Sequence, residues 1–178
     1  MMTPTQILTK EHQAIKLMLD ILEQIAGRLK AGGKVPDSDL KAILEFLQFF
    51  AYRCHHVKEE DLLFPAIEKA GMPREGGPIE VMLTEHNEGR GYIKGLAEAI
   101  DKKDKAGVVQ NVRSYIDILR QHIDKEDTIL YPIADMHIQT AKQKELLDAF
   151  DKIELERIGP GKHEEFHKLL KKLERTYL

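Results

Sequence analysis

Two short stretches of this sequence repeat one pattern of a histidine, a glutamate and a proline. In each copy the histidine lies ten residues before the proline and the glutamate lies six residues before it. The two copies are His55, Glu59 and Pro65, and His122, Glu126 and Pro132. Residues four apart lie on one face of an α-helix, about 5–6 Å from each other at Cβ. That separation suits an imidazole and a carboxylate that bind one metal centre.

The first copy offers two histidine–glutamate pairs at this spacing. His55 and Glu59 fall in series with the apolar residues of their predicted helix, whereas His56 and Glu60 are rotated from that series by about 100°. Periodicity favours the first pair without deciding between the two. The distance to the proline in the copy around His122 also selects His55 and Glu59.

Apolar residues at helical spacing predict four long helices, with breaks near residues 31–33, 71–78 and 101–104. The first half of the chain carries His12 on its first helix and the His55 pair on its second. The second half carries His86 and then the His122 pair in the same order. Two such hairpins make an antiparallel up-down four-helix bundle. We therefore predict an all-α fold with no strands and a bundle that covers residues 1–140.

The pattern changes after Gln139, where two shorter helices are predicted on either side of a Gly-Pro-Gly break at residues 159–161. We expect residues 141–178 to form a helical extension that packs on the bundle. A chain of 178 residues can bury a core without disulfides or a structural metal. A metal site in this chain is therefore expected to serve a function.

The predicted bundle brings four imidazoles and two carboxylates together inside an apolar core. They belong to His12, His55, His86, His122, Glu59 and Glu126. Such a cluster is costly unless something compensates for it, and metal coordination does so. These ligands suit iron, zinc, manganese or copper. Six ligands exceed the needs of one tetrahedral zinc ion, but they fit two metals bridged by both carboxylates and by an oxide or hydroxide, with positions left for an exogenous ligand.

A simpler interpretation of the same residues is structural. A single core histidine is usually a hydrogen-bonded structural residue, and a histidine–glutamate pair can be a surface ion pair. Six such residues within apolar stripes, repeated in register across two hairpins, are much harder to explain in that way. The sequence therefore favours metal binding for the set as a whole.

In these residues the sequence resembles the hemerythrin-like (HHE cation-binding) domain proteins. The resemblance covers about residues 5–138 and depends on the motifs Glu11-His12, His55 to Pro65, Glu85-His86 and His122-x3-Glu126-Asp127. The segment at residues 159–164 also looks like that of some bacterial members. The resemblance implies a four-helix bundle around a non-haem di-iron centre. It assigns one iron to His12 and His55, the other to His86 and His122, and the bridging positions to Glu59 and Glu126.

The sequence differs from the oxygen-carrying members at two positions. Arg90 stands where they have a second histidine one turn after the histidine of the third helix. Glu126 stands where they have an aspartate five residues after its histidine. With a fifth imidazole missing, one iron is more open or takes a substitute ligand, for which His56 and His163 are the candidates. A solvent-facing His56 and a surface His163 are the simpler expectations.

Several other residues are weighed as parts of the site. Tyr52, Arg90 and Tyr115 are candidates for hydrogen bonds to the metal ligands or to a bound small molecule, although the tyrosines are expected first of all to pack in the core. Cys54 is expected to be a small buried residue. Residues 163–167 match the H-E-x-x-H motif of zinc proteases. Too little chain follows the motif for a third ligand or a substrate cleft, so we expect no protease.

The resemblance implies an iron centre that binds O2, NO or a peroxide, in sensing, detoxification or iron handling. Alternatives are a metal-dependent signalling or binding module and an iron-storage or ferroxidase bundle. Ferritin-type bundles carry E-x-x-H in their helices, whereas this chain has H-x3-E twice, which argues against the storage alternative. The sequence leaves open whether the protein catalyses a reaction.

Charge and composition bear on partners and on location. A net charge of −3 gives no electrostatic footprint for nucleic acid or an anionic membrane surface. No stretch approaches the run of about 18 apolar residues that a membrane span needs. Residues 1–5 show neither a basic nor an apolar signal region, and the single cysteine fits a reducing compartment. We therefore expect a cytoplasmic protein, whose protein partner is unknown.

Overall fold

A computed structural model describes residues 2–178, so Met1, the first residue of the predicted bundle, lies outside the described residues. The described chain is helical and contains no strand. Its α-helices are α1 (Pro4–Lys30), α2 (Asp37–Phe46), α3 (Phe64–Lys69), α4 (Pro78–Asp101), α5 (Lys105–Lys125), α6 (Tyr131–His137), α7 (Thr140–Ile153) and α8 (Lys162–Tyr177). Its π-helical segments are Leu47–His56, Glu59–Leu63, Glu126–Leu130 and Glu154–Ile158.

Several of these elements follow one another without a break and form four long helices. The first is α1 and the third is α4. The second runs from α2 through two π-helical segments to α3, and the fourth runs from α5 through one π-helical segment to α6. Helix α1 packs on α5, α5 on α4, α4 on α2 and the following π-helical segment, and that segment packs back on α1. The predicted all-α bundle with additional C-terminal helices is confirmed.

Helix α1 begins where its sequence supplies both parts of a capping box. The Gln6 N–H donates to Thr3 Oγ1 at 3.2 Å, and the Thr3 N–H donates to the Gln6 side-chain oxygen at 3.0 Å. These bonds satisfy two backbone donors that the first turn leaves free. Leu8, His12 and Ile15 then recur on the buried face of the helix. The helix therefore directs the His12 imidazole into the core.

The second and fourth long helices each contain a π-helical turn that starts at a predicted bridging glutamate. The Phe64 N–H bonds to the Glu59 carbonyl, and the Tyr131 N–H bonds to the Glu126 carbonyl, five residues back in both cases. A proline follows each turn, and its missing N–H leaves a gap in the hydrogen-bond ladder that a widened turn accommodates. Turns of this kind are frequent at functional sites.

Helix α7, the segment Glu154–Ile158 and helix α8 form what we call the C-terminal extension. Helix α8 packs on α1 and α2, and the segment Glu154–Ile158 packs on Leu47–His56. The Tyr177 hydroxyl donates to Asp39 Oδ2 at 2.7 Å, which fixes the end of α8 on the start of α2. None of the helices within residues 2–178 is long and apolar enough to span a membrane.

Candidate metal centre

The six side chains predicted as metal ligands meet inside the bundle. None of them is more than 1% exposed, as shown by the values for His12 (0%), His55 (1%), Glu59 (0%), His86 (1%), His122 (1%) and Glu126 (0%). The four long helices contribute one histidine each, and the second and fourth also contribute the glutamates. The structure thus brings together residues that are far apart in the sequence, as the helical pattern predicts.

The ligand atoms of these six side chains and of His56 form two overlapping groups. The first group is His12, His55, Glu59 and Glu126, and the second group is His56, Glu59, His86 and His122. Within each group, one ligand atom from every residue lies within 4.8 Å of the others. Imidazole and carboxylate atoms at this spacing could hold one metal ion in each group.

The two glutamates lie between the groups. Glu126 Oε2 is 3.3 Å from His12 Nε2, and its Oε1 is 3.2 Å from His122 Nε2. Glu59 Oε1 is 3.7 Å from His55 Nε2, and its Oε2 is 3.3 Å from His86 Nε2. Each carboxylate therefore presents one oxygen to each half of the bundle.

A carboxylate outside the groups orients each of the four predicted histidines. The Nδ1 atoms of the histidines donate to the acids in four pairs: His12 to Asp127 (2.7 Å), His55 to Glu11 (2.9 Å), His86 to Glu60 (2.7 Å) and His122 to Glu85 (2.9 Å). With Nδ1 held in this way, Nε2 is left to face the centre of the bundle. Hydrogen bonds of this type are typical of metal-binding histidines.

Each of these acids is also paired with a cation. The pairs are Asp127 with Lys16 (2.9 Å), Glu11 with Lys58 (2.5 Å), Glu60 with Arg90 (2.9 Å) and Glu85 with Lys125. Arg90 thus contacts a carboxylate that orients His86, rather than the ligand atoms themselves. The cations keep the acids charged, and a charged acid is the stronger hydrogen-bond acceptor.

His56 is buried, so the expectation of a solvent-facing side chain is wrong. It is 3% exposed, and its ring stacks on His86 with centroids 3.8 Å apart and planes 15° apart. The physical reason is that the segment Leu47–His56 packs on both α1 and α4. His55 faces Glu11 of α1 and His56 faces His86 of α4, so both neighbours are buried although they point in different directions. Because His56 belongs to the second group, that group contains three imidazoles where the first contains two.

The other candidates have separate positions. His163 lies outside both groups, half-buried, with its ring 5.0 Å from that of Phe50. Tyr52 faces the edge of His56 at 6.4 Å and lies beneath the guanidinium of Arg90 at 4.8 Å. Tyr115 is 2% exposed, and its hydroxyl finds no hydrogen-bond partner in the described chain. Cys54 is 1% exposed and belongs to neither group, and desolvation raises the pKa of its thiol to about 12.

Tyr131 is a site residue that the sequence reasoning missed. Its hydroxyl donates to Glu59 Oε1 at 2.5 Å and lies 3.3 Å from His12 Nε2. The repeat in the sequence could have pointed to Tyr131, because Tyr131 and Phe64 each directly precede the proline of their copy. Phe64 stacks on His86 at 6.0 Å but has no hydroxyl to offer.

The charged groups inside the site shift the pKa values of their neighbours. Burial by itself would lower the pKa of His12, but the neighbouring carboxylates of Asp127 and Glu126 outweigh it and raise that pKa to about 9. Burial opposes the charge on His122 as well, yet Glu126 and Glu85 raise its pKa to about 10. Burial alone would raise the pKa of Glu126, and the two histidines instead hold it well below its usual value.

Several buried polar atoms of the site lack hydrogen bonds. Within residues 2–178, no partner is found for Glu59 Oε2, for either carboxylate oxygen of Glu126 or for His56 Nδ1. Buried oxygens in this state are costly. Cations placed between the histidines and the glutamates would satisfy them and would replace the protons that the histidines otherwise carry. The donor set therefore fits bound metal ions.

The comparison with protein families agrees with this geometry. Residues 3–134 match the Hemerythrin HHE cation binding domain. The chain belongs to the hemerythrin HHE cation-binding family. The predicted resemblance is thereby confirmed over most of the bundle.

Curated relatives of this HHE-family chain fall into two sets. The uncharacterized proteins Mb2018 of Mycobacterium bovis and Rv1995 of Mycobacterium tuberculosis are each 25% identical to it over 163 residues, which is 88% of this chain and 63% of theirs. The iron-sulfur cluster repair protein YtfE of Dickeya chrysanthemi is 34% identical over 88 residues, which is 45% of this chain and 40% of that protein. The chain thus spans less than two thirds of each relative. No solved structure matches it significantly.

Proposed function

We propose that this protein is a non-haem di-iron protein that binds O2, NO or a peroxide. In this proposal the first group holds one iron and the second group holds the other, and Glu59 and Glu126 bridge them. The observation that carries it is the pair of overlapping groups that share Glu59 and have Glu126 between them. Membership of the HHE cation-binding family favours iron over other metals.

The unequal groups indicate where a small ligand would bind. The second group offers three imidazoles and the first offers two, so the first iron would keep a position for an exogenous ligand. When bound, the iron pair would supply that position and the electrons for exchange with the ligand. The Tyr131 hydroxyl is on the side of the first group, between Glu59 and His12, and can donate a hydrogen bond there.

Burial limits the size of the ligand. All side chains of the two groups are at most 3% exposed. A large substrate therefore could not reach the ligand atoms without opening the bundle, whereas a molecule of two to four atoms needs little room. Burial also keeps bulk water away and so strengthens the electrostatic interactions inside the site.

Iron handling is a second candidate role, and the similarity to the iron-sulfur cluster repair protein YtfE favours it. Here the chain would release iron to an acceptor rather than react with a small ligand. The two roles can be distinguished by incubating iron-loaded protein with a metal-free iron–sulfur protein and, in parallel, with NO or peroxide. Transfer of iron to the acceptor would favour iron handling, and a spectral change with NO or peroxide would favour small-ligand binding. We place either role in the cytoplasm, because the single thiol suits a reducing compartment.

Metal analysis with visible spectra tests the proposal. We expect purified, iron-reconstituted protein to hold two irons per chain and azide to add charge-transfer bands to its oxidised form. His55→Ala should reduce the iron content and abolish the azide bands, because it removes an imidazole from the first group. His122→Ala should reduce the iron content through the second group.

His137→Ala is the matched control, because His137 is exposed on α6 and lies outside both groups. Its iron content and azide bands should equal those of the wild type. Wild-type protein that retains only trace iron, or His55→Ala and His122→Ala variants with unchanged iron, would contradict the proposal.

A further inference from the structure

The side chain of Lys58 is an ammonium group with no access to solvent. It is 0% exposed, and Nζ lies 2.5 Å from Glu11 Oε1 and 2.5 Å from Glu154 Oε1. The ring of Phe150 covers it at 5.5 Å. Glu154 and Phe150 both belong to the C-terminal extension, so the extension supplies one of the two carboxylates at this charge and the ring beside it. A buried ammonium needs such partners, because an unpaired one is very costly.

The same contacts lead to the metal centre. Glu11 binds Lys58 with Oε1 and accepts the hydrogen bond of His55 Nδ1 with Oε2, at 2.9 Å. A continuous chain of contacts therefore runs from Glu154 through Lys58 and Glu11 to His55. With both oxygens occupied, the Glu11 carboxylate has its position set from two sides. Outer hydrogen bonds of this kind fix ring orientation and metal affinity.

The other half of the bundle has the same inner contacts without the outer one. Lys125 pairs with Glu85, and Glu85 accepts the hydrogen bond of His122 Nδ1. The Lys125 side chain is 34% exposed, and among the described residues it pairs with no second carboxylate. The C-terminal extension thus reaches one of the two equivalent lysines only.

A third group of metal-capable side chains, Glu11, Glu154 and His163, lies at the same place. The Lys58 ammonium already lies between its two carboxylates. The lysine therefore neutralises the charge of these two carboxylates. The position between them is taken by an ammonium group, so we interpret the group as a set of ion pairs and not as a metal site.

We propose that Glu154 is a positioning residue through which the C-terminal extension controls how firmly the first group holds its iron. Glu154 fixes the Lys58 ammonium, the ammonium fixes the Glu11 carboxylate, and the carboxylate fixes the His55 ring. The inference rests on the proposed di-iron function. In this inference the C-terminal extension affects iron binding at the first group, where the small ligand would bind, and does not affect the second group.

The test compares iron release from Glu154→Gln and wild-type protein to a chelator. Glutamine keeps the shape of the side chain, and Lys58 keeps Glu11 as its counter-ion, so the variant should fold. We expect one of the two irons to leave about 10-fold faster, and the azide bands to disappear with that fast phase. The second iron should leave at the wild-type rate.

Two variants serve as controls. Glu156→Gln changes an exposed glutamate of the same π-helical segment, whose side chain is 59% exposed, and should release both irons as the wild type does. Lys125→Gln removes the equivalent cation of the other half and should accelerate the iron that does not carry the azide bands. Unchanged release from Glu154→Gln, or equal acceleration of both irons, overturns the inference.

A metal-free measurement separates this inference from the proposed function. In ¹H–¹⁵N spectra of the histidine rings, the Nδ1 proton of His55 should exchange faster with water in Glu154→Gln, while that of His122 stays unchanged. If the wild type binds no iron, the di-iron function fails and these spectra alone decide whether Glu154 positions His55. If the wild type binds two irons and Glu154→Gln equals it in both measurements, the inference fails and the function stands.

Discussion

The two halves of the bundle carry the same inner contacts but differ at the residues next to them. Each half supplies two oriented histidines, two orienting acids and two cations. The position after the second-helix histidine is His56 in the first half and Ile123 in the other. The position before the proline is Phe64 in the first half and Tyr131 in the other. The repeated residues build two similar groups of candidate metal ligands, and the differing residues make the groups unequal.

The differences act across the bundle rather than within one half. His56 comes from the first half but joins the second group, whereas Tyr131 comes from the second half and lies at the first group. One group thereby gains an imidazole, and the other gains a hydroxyl donor. In the proposed di-iron site, two equivalent metal positions would give an exogenous ligand no preference for either of them, and these two exchanges would supply one.

Removing the charge of the carboxylate that lies between the two groups should give the largest effect. Glu126→Gln keeps the side-chain volume but loses the carboxylate that lies 3.3 Å from His12 and 3.2 Å from His122. We expect both metals to be lost, because each loses one of the two carboxylates proposed to bridge them. The measurement is the metal-to-protein ratio after gel filtration. Glu98→Gln, on an exposed face of α4, is the control, and one tightly held metal in Glu126→Gln would show that Glu126 does not bridge.

Removing the third imidazole should affect one group only. His56→Leu is expected to weaken the metal of the second group by more than the roughly 10-fold that loss of an outer hydrogen bond costs. Azide binding at the first group should persist. A competition titration with a chelator measures both affinities. The control is Ile123→Leu at the equivalent position of the other half, where we expect no change in metal affinity.

The same comparison can be sharpened with Arg90, which stands where oxygen-carrying hemerythrins have a histidine. If His56 substitutes for that histidine, Arg90→His in the His56→Leu background should restore affinity at the second group. A double variant as weak as His56→Leu alone would show that the two positions are not exchangeable.

Removing one hydroxyl should give the smallest effect. Tyr131→Phe makes the position before the proline alike in both halves and leaves the metal ligands intact. We expect iron content to stay unchanged and azide affinity to fall about 10-fold, since a hydrogen bond to a charged group contributes about 1.5 kcal/mol. Phe64→Tyr is the matched control and should leave azide affinity unchanged. Equal azide affinity in Tyr131→Phe and the wild type would exclude the hydroxyl as a donor.

The fold and the six buried ligand candidates were predictable because both follow from helical periodicity. An apolar stripe requires a partner, and polar residues inside the stripe are carried into the core with it. The acids that accept hydrogen bonds from these histidines could not be predicted from their neighbours in the sequence. Glu11 precedes His12 in the sequence but orients His55, and Glu85 precedes His86 but orients His122. Such contacts depend on how neighbouring helices are rotated against each other.

The sequence by itself thus determined that this is a helical bundle with two histidine–glutamate pairs in its core, since spacing alone places residues on a helix face. Only the tertiary structure decided that His56 is buried, because the segment Leu47–His56 packs on α4 as well as on α1 and so covers His56 with His86. Tertiary packing also decided that the Tyr131 hydroxyl meets Glu59, and that the extension reaches Lys58 but not Lys125. These features depend on contacts between helices distant in sequence, which no local pattern records.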